Sequence, residues 1–120
     1  MENVIILGAS PKDGRYSNIA QKLLMEKGYN VFPVNSLYEE IEGKKCYKSI
    51  KDVKDKIDTI TVYLKPLNLD KMIDDVIKKK PSRVIFNPGT ENINIEKKLN
   101  ESGVEIIHGC TIVMLKTGQF

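Results

Sequence analysis

Short apolar runs punctuate this chain, each closed by a glycine, a proline or a polar stretch. The first, Asn3-Val4-Ile5-Ile6-Leu7, is apolar after its asparagine and breaks at Gly8. A continuous run of this kind reads as a parallel strand buried on both faces. Runs rich in β-branched and aromatic residues at 29–34, 59–64, 83–86 and 104–107 predict four further strands. The second closes at Pro33-Val34-Asn35, where a proline without a donor implies that the chain is leaving the sheet.

Between these runs the apolar period changes to that of a helix. Ile19, Ala20, Leu23 and Leu24 predict a first helix that starts at Ser17 or Asn18 and stops at Gly28. Asn18 with Gln21 has the form of a capping box. Residues 36–50 read as a long irregular connection, followed by a single helical turn that points Ile50, Val53 and Ile57 inward. Leu69, Met72, Ile73, Val76 and Ile77 make one stripe, with Asp70, Asp74 and Asp75 early and Lys78, Lys79 and Lys80 late, as the helix dipole favours. The lysine run reads as a solvated last turn, ended by Pro81. A short helix is expected from about residue 95 to residue 102, before Gly103. The run Ile112-Val113-Met114-Leu115 fits helix or strand equally, packed internally or against a second copy.

Strands alternating with helices predict one α/β domain spanning residues 1–120, a Rossmann-like doubly wound sheet of about five parallel strands in three α/β/α layers. A strand order of 3-2-1-4-5 would set the first loop beside strand four. With 120 residues, the chain is long enough to bury roughly two-thirds of its unfolded surface. The net charge of +3, from 19 basic and 16 acidic residues, favours an anionic ligand mildly and is no nucleic-acid footprint. No apolar run approaches the ~20 residues of a membrane span, and no signal-peptide pattern opens the chain. Cys46 and Cys110 form no spaced pattern, which points to a reduced, cytoplasmic setting.

The chemistry concentrates in Gly8-Ala9-Ser10-Pro11-Lys12-Asp13-Gly14-Arg15-Tyr16-Ser17-Asn18. This loop lies at the carboxyl end of a strand and opens a helix, whose first N–H groups lack intrahelical partners and receive phosphate. A dinucleotide fingerprint needs G-x-G-x-x-G here and an acid after strand two. The glycines stand at 8 and 14, and Pro33, Val34 and Asn35 supply no carboxylate. A P-loop is also absent. Lys44 and Lys45 follow strand two instead, and their charge suits a ribose phosphate better than free hydroxyls.

Gly8-Ala9-Ser10, Arg15-Tyr16-Ser17-Asn18, Gly28-Tyr29-x-Val31-x-Pro33-Val34-Asn35, Glu40-Ile41-x-Gly43, Tyr47-x-Ser49 and Asn87-Pro88-Gly89 together resemble the small CoA-binding protein family. That family is itself similar to the CoA-binding domain of the succinyl-CoA synthetase alpha subunit. The resemblance runs from about residue 4 to residue 110. It implies a module that holds coenzyme A or an acyl-CoA across the carboxyl ends of strands one to four. The diphosphate would lie on Gly8, Ala9, Ser10, Ser17 and Asn18, with Arg15 in a charge-assisted contact. Tyr16 lies in the same loop. Adenine and the 3′-phosphate would sit near Pro33, Val34, Asn35, Lys44 and Lys45. The pantetheine arm would pass Leu64, Lys65 and Pro66 toward Asn87, Pro88 and Gly89. Asn87 departs from the glutamine-like side chain usual in the family, Asp13 adds an acid to the loop, and the synthetase's histidine-bearing second domain has no counterpart.

Non-catalytic CoA binding is the first expectation. The alternatives are an NAD(P)-binding sensor or small oxidoreductase, and a CoA-carrying subunit of an acyl-CoA ligase, as a homodimer or beside a partner enzyme subunit. His108 and Cys110 have the residue types of a base and a thiol nucleophile. With no orienting acid visible in sequence, they read as a structural histidine and a core thiol. One histidine and two distant cysteines make no metal set. Tyr38 and Tyr47 read as packing residues, and Tyr16 is the better candidate for ligand contact.

Overall fold

A computed structural model describes residues 2–120. Its main sheet is five parallel strands: β1 (Asn3–Leu7), β2 (Asn30–Val34), β5 (Thr59–Val62), β6 (Arg83–Phe86) and β7 (Glu105–His108). The order is β2-β1-β5-β6-β7, so counting main-sheet strands alone it is 2-1-3-4-5, not the expected 3-2-1-4-5. The reason lies in burial. All four residues of β5 are buried, which suits a central strand. The outer edge of β2 is taken by Tyr47, whose N–H donates to the Pro33 carbonyl and whose carbonyl accepts from Asn35, each at 2.9 Å. Pro33 is therefore accommodated inside β2, its missing donor on that outer edge. The reversal point falls between β1 and β5, and the first loop meets the end of β5.

Alternate residues of β1 feed two cores. Ile5 and Leu7 pack with Ile60, Val62 and Phe86 beneath α2 (Pro66–Asp70), α3 (Ile73–Lys79) and α4 (Ile93–Glu101). Val4 and Ile6 pack on the other face with Leu24 of α1 (Tyr16–Glu26) and Leu115 of α5 (Thr111–Lys116). The three-layer α/β/α architecture follows from that alternation. The ambiguous carboxyl-terminal run is helix α5, packed internally through Leu115.

Four local expectations are corrected. Arg15, not Asn18, is the N-cap of α1, and no side chain caps it. Asn18 and Gln21 are fully buried and reach sideways instead. Asn18 Nδ2 donates to the Ser10 carbonyl at 3.0 Å and to Glu42 Oε2 at 3.1 Å, and Gln21 Nε2 donates to the Ile41 carbonyl at 3.0 Å. Both acceptors bordering α1 belong to a hairpin, β3 (Glu40–Ile41) and β4 (Lys44–Lys45), inside the stretch expected to be irregular. Glu42 and Gly43 at its tip both have positive φ, 51° and 76°, as a tight two-residue turn requires. Finally, the long apolar stripe is split between α2 and α3. Met72 leaves helical geometry at φ −112°, ψ 1°, yet Leu69, Ile73 and Val76 still face the core. Lys79 is not solvated as expected: it is partly buried, donates to the Val53 carbonyl, and burial lowers its pKa. No helix among the described residues is long and apolar enough to cross a membrane.

Candidate functional site

The site begins where β1 ends. Gly8 has φ +91°, and a Cβ there would stand 2.9 Å from Leu64 Cδ2 and 3.1 Å from the Tyr63 backbone carbonyl. Only glycine lets the first loop pass this close to the end of β5. The amides of Gly8 and Ala9 both donate to the Val34 carbonyl, at 3.1 and 3.2 Å. They tie the loop to β2 and are not free for a diphosphate. The amides of Ser10, Tyr16, Ser17 and Asn18 have no partner among the described residues. The last three form the first turn of α1, where partial positive charge accumulates.

Charge at this loop is net positive. Arg15 stands exposed at the mouth of α1 and makes no ion pair among the described residues. Asp13 turns away to Lys22, 2.7 Å off, whose hydrogen bond holds the carboxyl below its ordinary pKa. The loop's one acid is thereby neutralised.

Two hollows meet at Gly8 and Leu64. The first, about 290 Å³, is lined by Ser10, Arg15, Tyr16 and Ser17 on one side and Tyr63, Lys65, Pro88, Gly89 and Thr90 on the other. The second, about 280 Å³, lies between Leu7, Val34, Asn35 and Ser36 on one side and Lys48, Asn68, Lys71 and Met72 on the other. No carboxylate lines either one. A larger hollow of about 450 Å³ at the amino ends of the strands carries Glu2, Asp58 and Glu105 around Arg83. Three acids against one base make it a poor seat for an anion. The paired hollows thus form one crevice across the carboxyl ends of the sheet, cationic at both ends and apolar between.

Residues 2–116 match the family described as CoA binding domain. The chain belongs to that family. An acetate–CoA ligase (ADP-forming) of Methanocaldococcus jannaschii is 33% identical over 104 residues, which cover 83% of this chain and 15% of that protein. The chain therefore spans a small part of the length of such relatives. A crystal structure of an uncharacterized protein superposes with TM-score 0.94 at 40% identity, covering 100% of this chain and 98% of its own. A hypothetical protein from Pyrococcus horikoshii OT3 superposes with TM-score 0.90 at 38% identity, covering 95% of this chain and 81% of its own.

In this CoA-binding domain the candidate residues fall into three groups. Gly8, Ser10, Arg15, Tyr16, Ser17, Leu64, Lys65, Pro88 and Gly89 line the first hollow, while Val34 and Asn35 line the second. Ala9, Asn18, Pro33 and Asn87 are buried behind the walls, and Pro66 is the first residue of α2. Lys44 and Lys45 lie on the exposed hairpin, outside both linings, with Lys45 Nζ 5.0 Å from the centre of the Tyr47 ring. Both polar atoms of the Asn35 side chain are engaged within the protein. Its Nδ2 donates to the Ala9 carbonyl at 2.8 Å, and its Oδ1 accepts from Leu37 N–H at 2.9 Å.

Sequence reasoning missed Lys48, Asn68, Lys71 and Thr90, which reach the crevice from elements far apart in the chain. It also missed the acid beside His108. Glu96 Oε1 lies 2.5 Å from His108 Nε2, and Glu96 Oε2 accepts from Asn92 N–H at 2.8 Å. His108 lines a different hollow, on the β7 edge, so neither it nor Cys110 joins the crevice. Tyr38 and Tyr47 pack against the cores, whereas Tyr16 is 74% exposed at the crevice rim.

Under the first hollow, the Tyr63 hydroxyl is buried without a hydrogen-bond partner among the described residues. Burial pushes its pKa up to about 12, against a partial offset from the neighbouring Thr111 and Thr61 hydroxyls. The folded state therefore holds the phenol proton more tightly than the unfolded chain does. That stabilisation is complete below pH 10 and is lost as pH rises toward 12. Urea unfolding across this window should show a loss on the order of 2 kcal/mol. Tyr63→Phe should flatten the alkaline fall and leave neutral-pH stability unchanged or higher.

Proposed function

We propose that this chain binds coenzyme A or an acyl-CoA in the crevice and does not itself carry out a reaction. The observation that carries this reading is a crevice with free helix-turn amides at one end and no carboxylate in its lining. The diphosphate would sit on the amides of Ser10, Tyr16 and Ser17, beside Arg15, with Gly8 and Ala9 shaping the loop rather than donating. The pantetheine arm would cross Leu64 and Lys65 toward Pro88 and Gly89. No histidine, cysteine or carboxylate lines this path, which supports a holding role over covalent or acid–base chemistry. An NAD(P) site is the weaker reading, because no carboxylate stands at the end of β2 to accept from ribose hydroxyls.

Calorimetry with CoA and NAD in parallel tests the proposal. CoA should bind and NAD should bind far more weakly; NAD as the tighter ligand overturns it. Within the proposal, Arg15→Ala should weaken CoA by about 1.5–3 kcal/mol, the scale of a charged hydrogen bond. Unchanged affinity would remove Arg15 from the site.

The identity with acetate–CoA ligases favours one further reading, a CoA-carrying component whose chemistry resides in a partner subunit. A second protein co-purifying in stoichiometric amount from the native cell would support it, and a lone chain that saturates with CoA would not.

A further inference from the structure

We infer that the free edge of β7 pairs antiparallel with the same edge of a second copy, joining two five-stranded sheets across a two-fold axis. The inference does not depend on what the crevice binds. The two edges of the sheet differ. On β2 the outer edge is occupied by Tyr47 and lacks a donor at Pro33. β7 pairs with β6 alone, and no strand among the described residues lies on its other side. Its sequence, Glu105-Ile106-Ile107-His108, has no lysine or proline, and its register with β6 has no bulge. Those are the usual devices that keep an edge from pairing. Both isoleucines are half-buried, so the open row of main-chain donors and acceptors is flanked by apolar carbon that water still reaches.

Main-chain bonds select the register. Glu105 N–H donates to the Ser82 carbonyl at 3.1 Å, and Gly109 N–H donates to the Phe86 carbonyl at 3.2 Å. Residues 105, 107 and 109 therefore face β6, and the alternation turns 104, 106, 108 and 110 outward. Val104 N–H already donates to the Leu99 carbonyl, and the Cys110 carbonyl already accepts from Met114 N–H. Ile106 and His108 are left. They exchange four hydrogen bonds with a second copy when Ile106 lies opposite His108 of that copy and Ile107 sits on the axis. Charge agrees with this register. It sets the acidic Glu105 end of each strand beside the His108 end of the other, and Glu105 has no ion pair among the described residues. On the α4 side, Ile106 of each copy meets a hollow of about 620 Å³ lined by Ile93, Lys97, Asn100 and His108. The occupied β2 edge stops further addition, so the assembly closes as a dimer and does not grow into a filament. No residue of β7 lines the crevice, which stays open in both copies.

Analytical ultracentrifugation of the full chain over a concentration series provides the test. Wild type should form dimers at micromolar concentrations. Ile107→Lys sets two ammonium groups against each other across the axis and should weaken association by about a hundredfold or more. Leu37→Lys replaces an exposed apolar side chain beyond β2, at the other edge of the sheet, and should leave association unchanged. The register is read by Ile107→Cys in a Cys110→Ser background. Opposed residues of a non-hydrogen-bonded pair stand about 4.5 Å apart at Cα, within disulfide reach, so mild oxidation should link the two copies. Leu37→Cys in the same background should not link them. This readout decides the matter even where Ile107→Lys unfolds. Wild type that stays monomeric throughout the series overturns the pairing, as does a folded Ile107→Lys that associates like wild type. Dimers that Leu37→Lys disperses, or that Ile107→Cys does not link, overturn it as well.

Discussion

Gly8→Val should lower unfolding free energy by about 3–4 kcal/mol and abolish measurable CoA binding, read by urea denaturation and calorimetry. Two costs combine. At φ +91° a β-branched residue is strained whatever space it has, and here the space is also filled. Leu64 Cδ2 can swing away from a new Cβ, but the Tyr63 carbonyl is main chain at the end of β5 and cannot move without disturbing the ladder to β1. The loop must then lift off, taking with it the amide bonds from Gly8 and Ala9 to the Val34 carbonyl. That displacement closes the junction between the two hollows. Gly14→Val is the matched control. It has φ +84° but nothing within 4 Å of the added Cβ, so it should cost only about 1 kcal/mol. Equal effects at the two glycines would show that backbone strain alone, not close approach to β5, governs Gly8.

Asn87→Leu should cost about 3–4 kcal/mol of stability, measured the same way. The Asn87 side chain is 3% exposed and joins three elements. Its Nδ2 donates to Thr61 Oγ1 at 2.7 Å and to the Val62 carbonyl at 2.9 Å, and its Oδ1 accepts from Thr111 N–H at 2.9 Å. Thr61 Oγ1 in turn lies 2.8 Å from Thr111 Oγ1. Leucine has similar bulk but leaves a buried amide N–H and a carbonyl without partners, which is the expensive half of losing a hydrogen bond. Position 87 was expected to contact the pantetheine arm directly. Its side-chain bonds are instead all internal, so it holds the ends of β5 and β6 to α5 beneath the crevice. CoA affinity should therefore fall far less than stability, at a temperature where the variant is folded. A large affinity loss with little destabilisation would return Asn87 to the ligand.

Much of the secondary structure was legible in local pattern. The apolar run of β1, the β-branched run of β5 and the stripe of Leu69, Ile73 and Val76 each carry their own period, and burial followed it. The glycine-opened loop into α1 was legible for the same reason, since strand, turn and helix start adjoin in sequence. Asn18 and Gln21 misled because a capping box and a buried amide pair share the same residue types and spacing. Only the hairpin at residues 40–45, distant in sequence, distinguishes them.

The sequence by itself determined the α/β class, the position of the glycine-opened loop and the lack of an acid after β2, because each is a property of neighbouring residues. The tertiary structure alone decided that β5 lies beside β1, that Val34 takes the Gly8 and Ala9 amides, and that Lys48 and Lys71 rather than Lys44 and Lys45 reach the crevice. Those outcomes depend on which strand pairs with each edge of β1. Period and spacing describe faces along one segment and carry no information about which segment will stand opposite.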